Sequence, residues 1–165
     1  MNIVYCLDSI CILGGIERAT ITKANALSNI NDNHVYIIVA EHRGEPFMSI
    51  NPKVNIINLD IQYYRDYGKS RLESYKILIE ERYKHKKRLS KVLSEINPDI
   101  VISTGKSERY FINRLKIKSK PKFIREFTSE TTANHFAQAN GGKVIIRYDY
   151  DNFAHSIVKR YIVKY

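Results

Sequence analysis

Cysteine is scarce: Cys6 and Cys11 are the only two in 165 residues. Neither their spacing nor their surroundings asks for a disulfide, so they read as free thiols in a reducing compartment. Long apolar runs are missing as well. None approaches the roughly 18 residues that a membrane-spanning helix needs. Met1-Asn2 leaves no room ahead of the first apolar run for the charged and apolar segments of a secretion signal, and the chain reads as cytoplasmic. The five histidines, His34, His42, His85, His135 and His155, fall in separate segments without ligand spacing, so no metal site is expected. No Gly-x-Ser-x-Gly elbow points to a serine nucleophile. Acidic residues are few: 17 Asp and Glu stand against 27 Lys and Arg, a formal net charge of +10. That excess bears on partners rather than on fold, and the candidates are nucleic acid, an anionic membrane surface or polyanionic substrates.

What is present is enough for one folded domain over 1–165, because 44% of the residues are hydrophobic and a chain of this length can bury a sizeable core. Asn2 to Leu7 is short, apolar and rich in β-branched and aromatic residues, as a buried central strand should be. Asp8 to Gly15 follows as a turn. From Ile16 the apolar or small positions Ile16, Ala19, Thr20, Ala24 and Leu27 take helical spacing. Strand, glycine turn and helix in that order form the place where a doubly wound α/β domain offers main-chain N–H groups and a helix N-terminus to an anion. Two adjacent glycines are also a common way to make any tight turn.

The remainder continues the α/β pattern. His34 to Ala40 predicts a second strand covered on both faces, and Val54 to Leu59 a third strand nearer the sheet edge. A long helix over about 70–96 has Leu72, Tyr75, Ile79, Tyr83, Leu89, Leu93 and Ile96 as its expected inner stripe. Asn97-Pro98-Asp99 stops it, and Ile100 to Ser103 is a fourth strand leading into Thr104, Gly105 and Lys106. Gly105-Lys106-Ser107 is not a nucleotide phosphate loop, since the position five before Gly105 is Ile100. A helix over 107–116, a fifth strand from Lys122 to Phe127, a helix over 150–159 and a strand from Tyr161 to Lys164 complete the expected set. The fold class is therefore a Rossmann-like, mainly parallel doubly wound sheet with helices on both faces.

The long helix carries Arg82, Lys84, Lys86, Lys87, Arg88 and Lys91 within ten residues. Such a run reads either as a solvated face or as a surface for an anionic membrane or polyanionic acceptor, with Tyr63, Tyr64 and Tyr67 as interfacial anchors beside it. In an open α/β sheet the loops after the strands face the ligand, so Gly14, Gly15, Glu41, His42, Arg43, Thr104, Gly105, Lys106 and Glu126 are expected on one rim.

Gly14-Gly15-Ile16-Glu17-Arg18 directly after a first strand resembles the Gly-Gly-x-Glu-Arg turn of the family 4 retaining glycosyltransferases. Pro98-Asp99 ahead of a buried strand resembles the fourth strand of the N-terminal, acceptor-side domain of their two-domain GT-B fold. The resemblance spans essentially the whole chain. It implies a cytoplasmic glycosyltransferase half, peripheral at the inner face of the membrane, in hexosyl transfer for cell-surface polysaccharide. It further implies a nucleotide-sugar donor used without metal, a sugar or lipid-linked acceptor, and a separate C-terminal donor domain. Gly14 and Gly15 would approach the donor diphosphate, Glu17 and the rim residues would face the acceptor, and Glu126 is the candidate catalytic group. The family often has Glu-His at the end of that strand, where this chain has Glu126-Phe127. The last glutamate is Glu130, so the family's Glu-x7-Glu pair is absent, the C-terminal domain's half of the donor site is expected to be missing, and this half alone is expected to transfer no sugar. The alternative function is a basic α/β module that binds nucleic acid or other polyanions without catalysis, and it lacks any nucleic-acid signature.

Overall fold

A computed structural model of the chain describes residues 1–30, 32–63, 68–104, 108, 111–118, 121–127, 133–134, 137–138, 142–151 and 156–164. Among these residues seven strands form one sheet: β1 (Asn2–Leu7), β2 (His34–Val39), β3 (Val54–Asn58), β4 (Ile100–Ser103), β5 (Lys122–Phe127), β6 (Lys143–Asp151) and β7 (Ser156–Lys164). Their order across the sheet is β3-β2-β1-β4-β5-β7-β6. The pairs β1/β2, β2/β3, β1/β4 and β4/β5 are parallel, and β7 lies antiparallel between β5 and β6. The chain thus winds outward from β1 through β2 to the edge strand β3, then returns to the other side of β1 with β4. This reversal between β1 and β4 is the switch point at which an open sheet parts its loops and leaves a crevice.

Alternation along β1 divides the core between the two faces, as a period of two requires. Ile3, Tyr5 and Leu7 pack with Val35, Ile37 and Val39 of β2 and with Ile21 and Ala24 of helix α1 (Gly15–Ser28). Val4 and Cys6 face the other way, toward Ile38 and Val101 and toward Leu89 and Leu93 of helix α2 (Arg71–Ile96). The fold is the Rossmann-like α/β architecture that the strand and helix periodicities imply.

Helix α2 begins with a capping box. The Ser70 hydroxyl accepts from the Glu73 N–H, and the Glu73 carboxylate accepts from the Ser70 N–H. It ends at Asn97, whose left-handed conformation (φ 51°) turns the chain away, a stop that asparagine tolerates better than most residues. The Asp99 carboxylate then accepts the Asn2 N–H at 2.8 Å, and the Asn2 side chain donates to the Ile96 carbonyl at 3.0 Å. These bonds fix the end of α2 against the start of β1.

Three expectations change. The inner stripe of α2 holds only in its second half: Leu89 and Leu93 are buried, while Leu72, Tyr75, Ile79 and Tyr83 are exposed. The inward positions of the middle turns are Glu81 and His85 instead. The helix expected over 107–116 is, among the described residues, one 3-10 turn at Ile112–Arg114, with Phe111, Ile112 and Leu115 buried around it. The helix expected over 150–159 is not formed by its described residues: β6 and β7 are arms of an antiparallel pair, with Ile145 opposite Ile162 and Tyr150 opposite Ile157. Their β-branched and aromatic content suits a pleated surface better than a helix.

Candidate functional site

The ends of β1, β2 and β4 meet at the switch point, and each contributes a short polar segment. After β1 the chain turns toward β2. The Glu41 N–H donates to the Asp8 carbonyl at 3.0 Å, the Phe47 N–H to the Ile10 carbonyl at 3.3 Å, and the Cys11 Sγ lies 3.2 Å from the His42 Nδ1. On the other flank, Thr104 donates both its N–H and its hydroxyl to the Cys6 carbonyl, each at 3.0 Å. The Ser103 hydroxyl donates to the buried Glu108 carboxylate at 3.1 Å. The β1 and β2 loops are thus tied to each other, the end of β4 is tied to β1, and Asp8 stands between.

A clamp on α2 ties the helix to the segment after β3. The Glu81 carboxylate, buried in the helix's inner face, accepts the Gln62 N–H at 2.8 Å. One turn later His85 Nδ1 lies 3.0 Å from the Tyr63 hydroxyl, and its ring meets Phe111 edge-on with centroids 5.1 Å apart. A further turn on, Arg88 donates to the Leu59 carbonyl at 2.5 Å and to the Asp60 carboxylate at 3.1 Å. Spacing of three and four residues brings these side chains to one segment, the stretch after β3. Burial holds the His85 imidazole down at about pKa 4, with the Asp8 carboxylate acting in the opposite sense. Burial also pushes the Tyr63 phenol well above its usual range; Arg82 opposes this, and Glu108, Asp8 and Glu81 reinforce it. Both partners are therefore neutral at pH 7. Cys6 is likewise pushed well up, by burial first and by the Glu108 carboxylate second, so its thiol is inert.

The residues singled out in the sequence divide around this crevice. Glu41, His42 and Arg43 lie together after β2, with Glu41 in an ion pair to Arg43 at 2.5 Å. Thr104 sits at the end of β4, while Gly105 and Lys106 lie outside the described residues. Glu126 is in β5, at the register position of Ile162 in β7. Gly14 is extended (φ −129°), and neither it nor Gly15 has a positive φ. A Cβ built on Gly14 would overlap the Glu17 carboxylate, whereas one on Gly15 would meet nothing within 4 Å. Glu17 thus folds back over the N-terminus of α1, where negative charge is favoured by the helix dipole.

The six cations of α2 do not form one face. Lys84 and Arg88 turn to Asp60, Lys91 pairs with Glu95 at 3.9 Å, and Arg82 is half-buried while Lys86 and Lys87 are exposed. Among the described residues there is no group of His, Cys, Asp and Glu able to hold a metal ion. Nor does any helix among them have the length and apolarity to cross a membrane. Glu81, His85 and Glu108 escaped the sequence reading, although the spacing of His85 with Leu89 and Leu93 along α2 was a usable signal.

No protein-family description and no curated protein matches the chain. Among solved structures, a precorrin-6y C5,15-methyltransferase from Geobacter metallireducens is similar over 98% of this chain and 78% of its own, with 12% identity and a TM-score of 0.42. A precorrin 8w decarboxylase from Methanobacterium thermoautotrophicum covers 98% and 79%, with 13% identity and a TM-score of 0.43. Likeness at this level assigns neither reaction nor ligand. It does correct the family expectation drawn from Gly14 to Arg18: the similar structures are a methyltransferase and a decarboxylase. The glycosyltransferase activity, its nucleotide-sugar donor and its place in polysaccharide synthesis are therefore withdrawn, and the comparisons lend no support to the alternative of a polyanion-binding module either.

Proposed function

We propose that the chain binds a ribonucleoside that carries a positive charge instead of a phosphate, in the crevice between the ends of β1 and β4. The observation that carries this reading is the sign of the charge around the crevice. Asp8, Glu41 and Glu108 stand at the ends of β1, β2 and β4, and Glu17 lies over the N-terminus of α1. A diphosphate would have to displace the Glu17 carboxylate and approach Asp8, with Glu108 buried behind them and Arg43 already paired with Glu41. An acid just beyond the second strand suits the ribose hydroxyls, as in other doubly wound folds, and Glu41 holds that position. The remaining carboxylates suit a cationic substituent.

Isothermal titration with S-adenosylmethionine, adenosine and ADP tests the proposal, since the first adds a sulfonium cation to the second and the third adds phosphates. The cationic nucleoside is expected to bind with Kd near roughly 10 μM and ADP at least about tenfold more weakly. Asp8→Asn should weaken the former and Glu17→Ala should strengthen the latter. Tighter binding of ADP than of S-adenosylmethionine, or no binding of either, would overturn it.

A further inference from the structure

The first half of α2 carries an apolar face that no other part of the described fold covers. Leu72, Tyr75, Ile79 and Tyr83 are 78%, 64%, 50% and 69% exposed, and they follow one another at intervals of three, four and four residues, so they form one stripe. No residue from Arg71 to Glu80 is buried; the buried positions of the helix begin at Glu81. The stripe runs about 16 Å along the helix at 1.5 Å per residue. Lys76, one turn from Leu72, and Lys86 and Lys87, one turn from Tyr83, continue the same side and are exposed. This face is distinct from the inner face of Glu81, His85 and Leu89, so α2 has two working sides.

We infer that this stripe seats the protein on an anionic bilayer surface. Leucine and isoleucine between tyrosines, bordered by lysines, match what a helix lying in the headgroup region requires: apolar side chains reach the acyl boundary, phenols stay at the interface, and ammonium groups meet lipid phosphates. Charge complementarity selects this occupant over a second copy of the chain. Two molecules of net charge +10 meeting through this face would bring their own lysines together. The proposal is independent of the ligand assigned to the crevice, which lies at the ends of the strands and on the inner side of α2.

Co-sedimentation with vesicles tests it, using phosphatidylcholine alone and phosphatidylcholine with about one-third phosphatidylserine, at low and high salt. Two variants accompany the wild type: Leu72→Ser with Ile79→Ser, and Lys76→Glu with Lys86→Glu and Lys87→Glu. All five positions are exposed, and circular dichroism melts check that the variants fold. Binding is expected on anionic vesicles only, to fall with salt, and to drop at least about tenfold in each variant. Equal binding to neutral vesicles, wild-type binding by either variant, or no vesicle binding at all overturns the proposal. A concentration-dependent dimer in sedimentation velocity that Leu72→Ser with Ile79→Ser abolishes also overturns it, because the stripe then belongs to a second copy.

Discussion

Gly14 and Gly15 look alike in the sequence and differ in the fold. Gly14 has extended backbone that any residue could adopt, so what its missing side chain supplies is room for the Glu17 carboxylate. Gly15 opens α1 with open space where a side chain would go and without a positive φ. Gly14→Ala is therefore expected to push Glu17 off the helix terminus and cost about 1 kcal/mol. Gly15→Ala should gain up to about 1 kcal/mol by restricting the unfolded chain. Urea midpoints of the two variants decide this, and the reverse order of stability would refute it. In a Glu17→Gln background the Gly14 penalty should shrink, since the two positions are in contact. The strand, glycine turn and helix were legible from the residues. What fills the turn was not, because Glu17 as an internal partner of the glycine and Glu17 as a ligand contact share one sequence.

Helix α2 shows where an apolar stripe stops being informative. Its length, its Ser70 cap and its stop at Asn97 follow from local chemistry that the sequence states directly. The spacing of Leu72, Tyr75, Ile79 and Tyr83 announces an apolar face, but spacing cannot say what covers it. The sheet reaches only the later turns, through Leu89 and Leu93. The covered side of the middle turns is polar in composition, which hydropathy assigns to solvent; Glu81 and His85 are admitted there because Gln62 and Tyr63 supply partners. Leu93→Ala is accordingly expected to cost about 2–5 kcal/mol through a buried cavity, whereas Leu72→Ala should stay within about 0.5 kcal/mol. Removing the cap by Ser70→Ala should reduce amide protection over 71–80 and leave the turns around Leu89 unchanged, since the first turns lack packing against the sheet. Hydrogen exchange followed by mass spectrometry separates the two halves, and equal loss along the whole helix would contradict this division. The β6–β7 pair was legible in part: along the nine-residue β6, Ile146, Tyr148 and Tyr150 alternate with Arg147, Asp149 and Asp151, a period of two that favours strand over helix, while the pairing of the two arms fixes where each begins and ends.

For the whole molecule, the buried His85 makes stability depend on pH in a defined window. In the folded chain its pKa is lowered to about 4 from a usual 6.5, because ionisation would place a cation where the ring now meets Tyr63 and Phe111. Between those two values the unfolded chain binds more protons than the folded one. Stability therefore rises with pH across the window, falls as pH drops below about 6.5 and levels off, for this group, below about 4. A shift of this size corresponds to about 3 kcal/mol at most. That is a large share of the 5–15 kcal/mol or so by which domains of this kind are stable. The fully exposed Asp60, held below its usual range first by the Arg88 hydrogen bond, titrates at the acid end of the same scan. His85→Gln isolates the imidazole: it removes the titration and keeps a polar group within reach of Tyr63. Urea denaturation of wild type and His85→Gln at pH 7 and pH 4.5 gives the comparison. The variant should be less stable at pH 7 and lose less on acidification. An equal loss in both proteins would mean that carboxylates alone carry the acid sensitivity, and that the clamp between α2 and the segment after β3 holds without regard to the charge on His85.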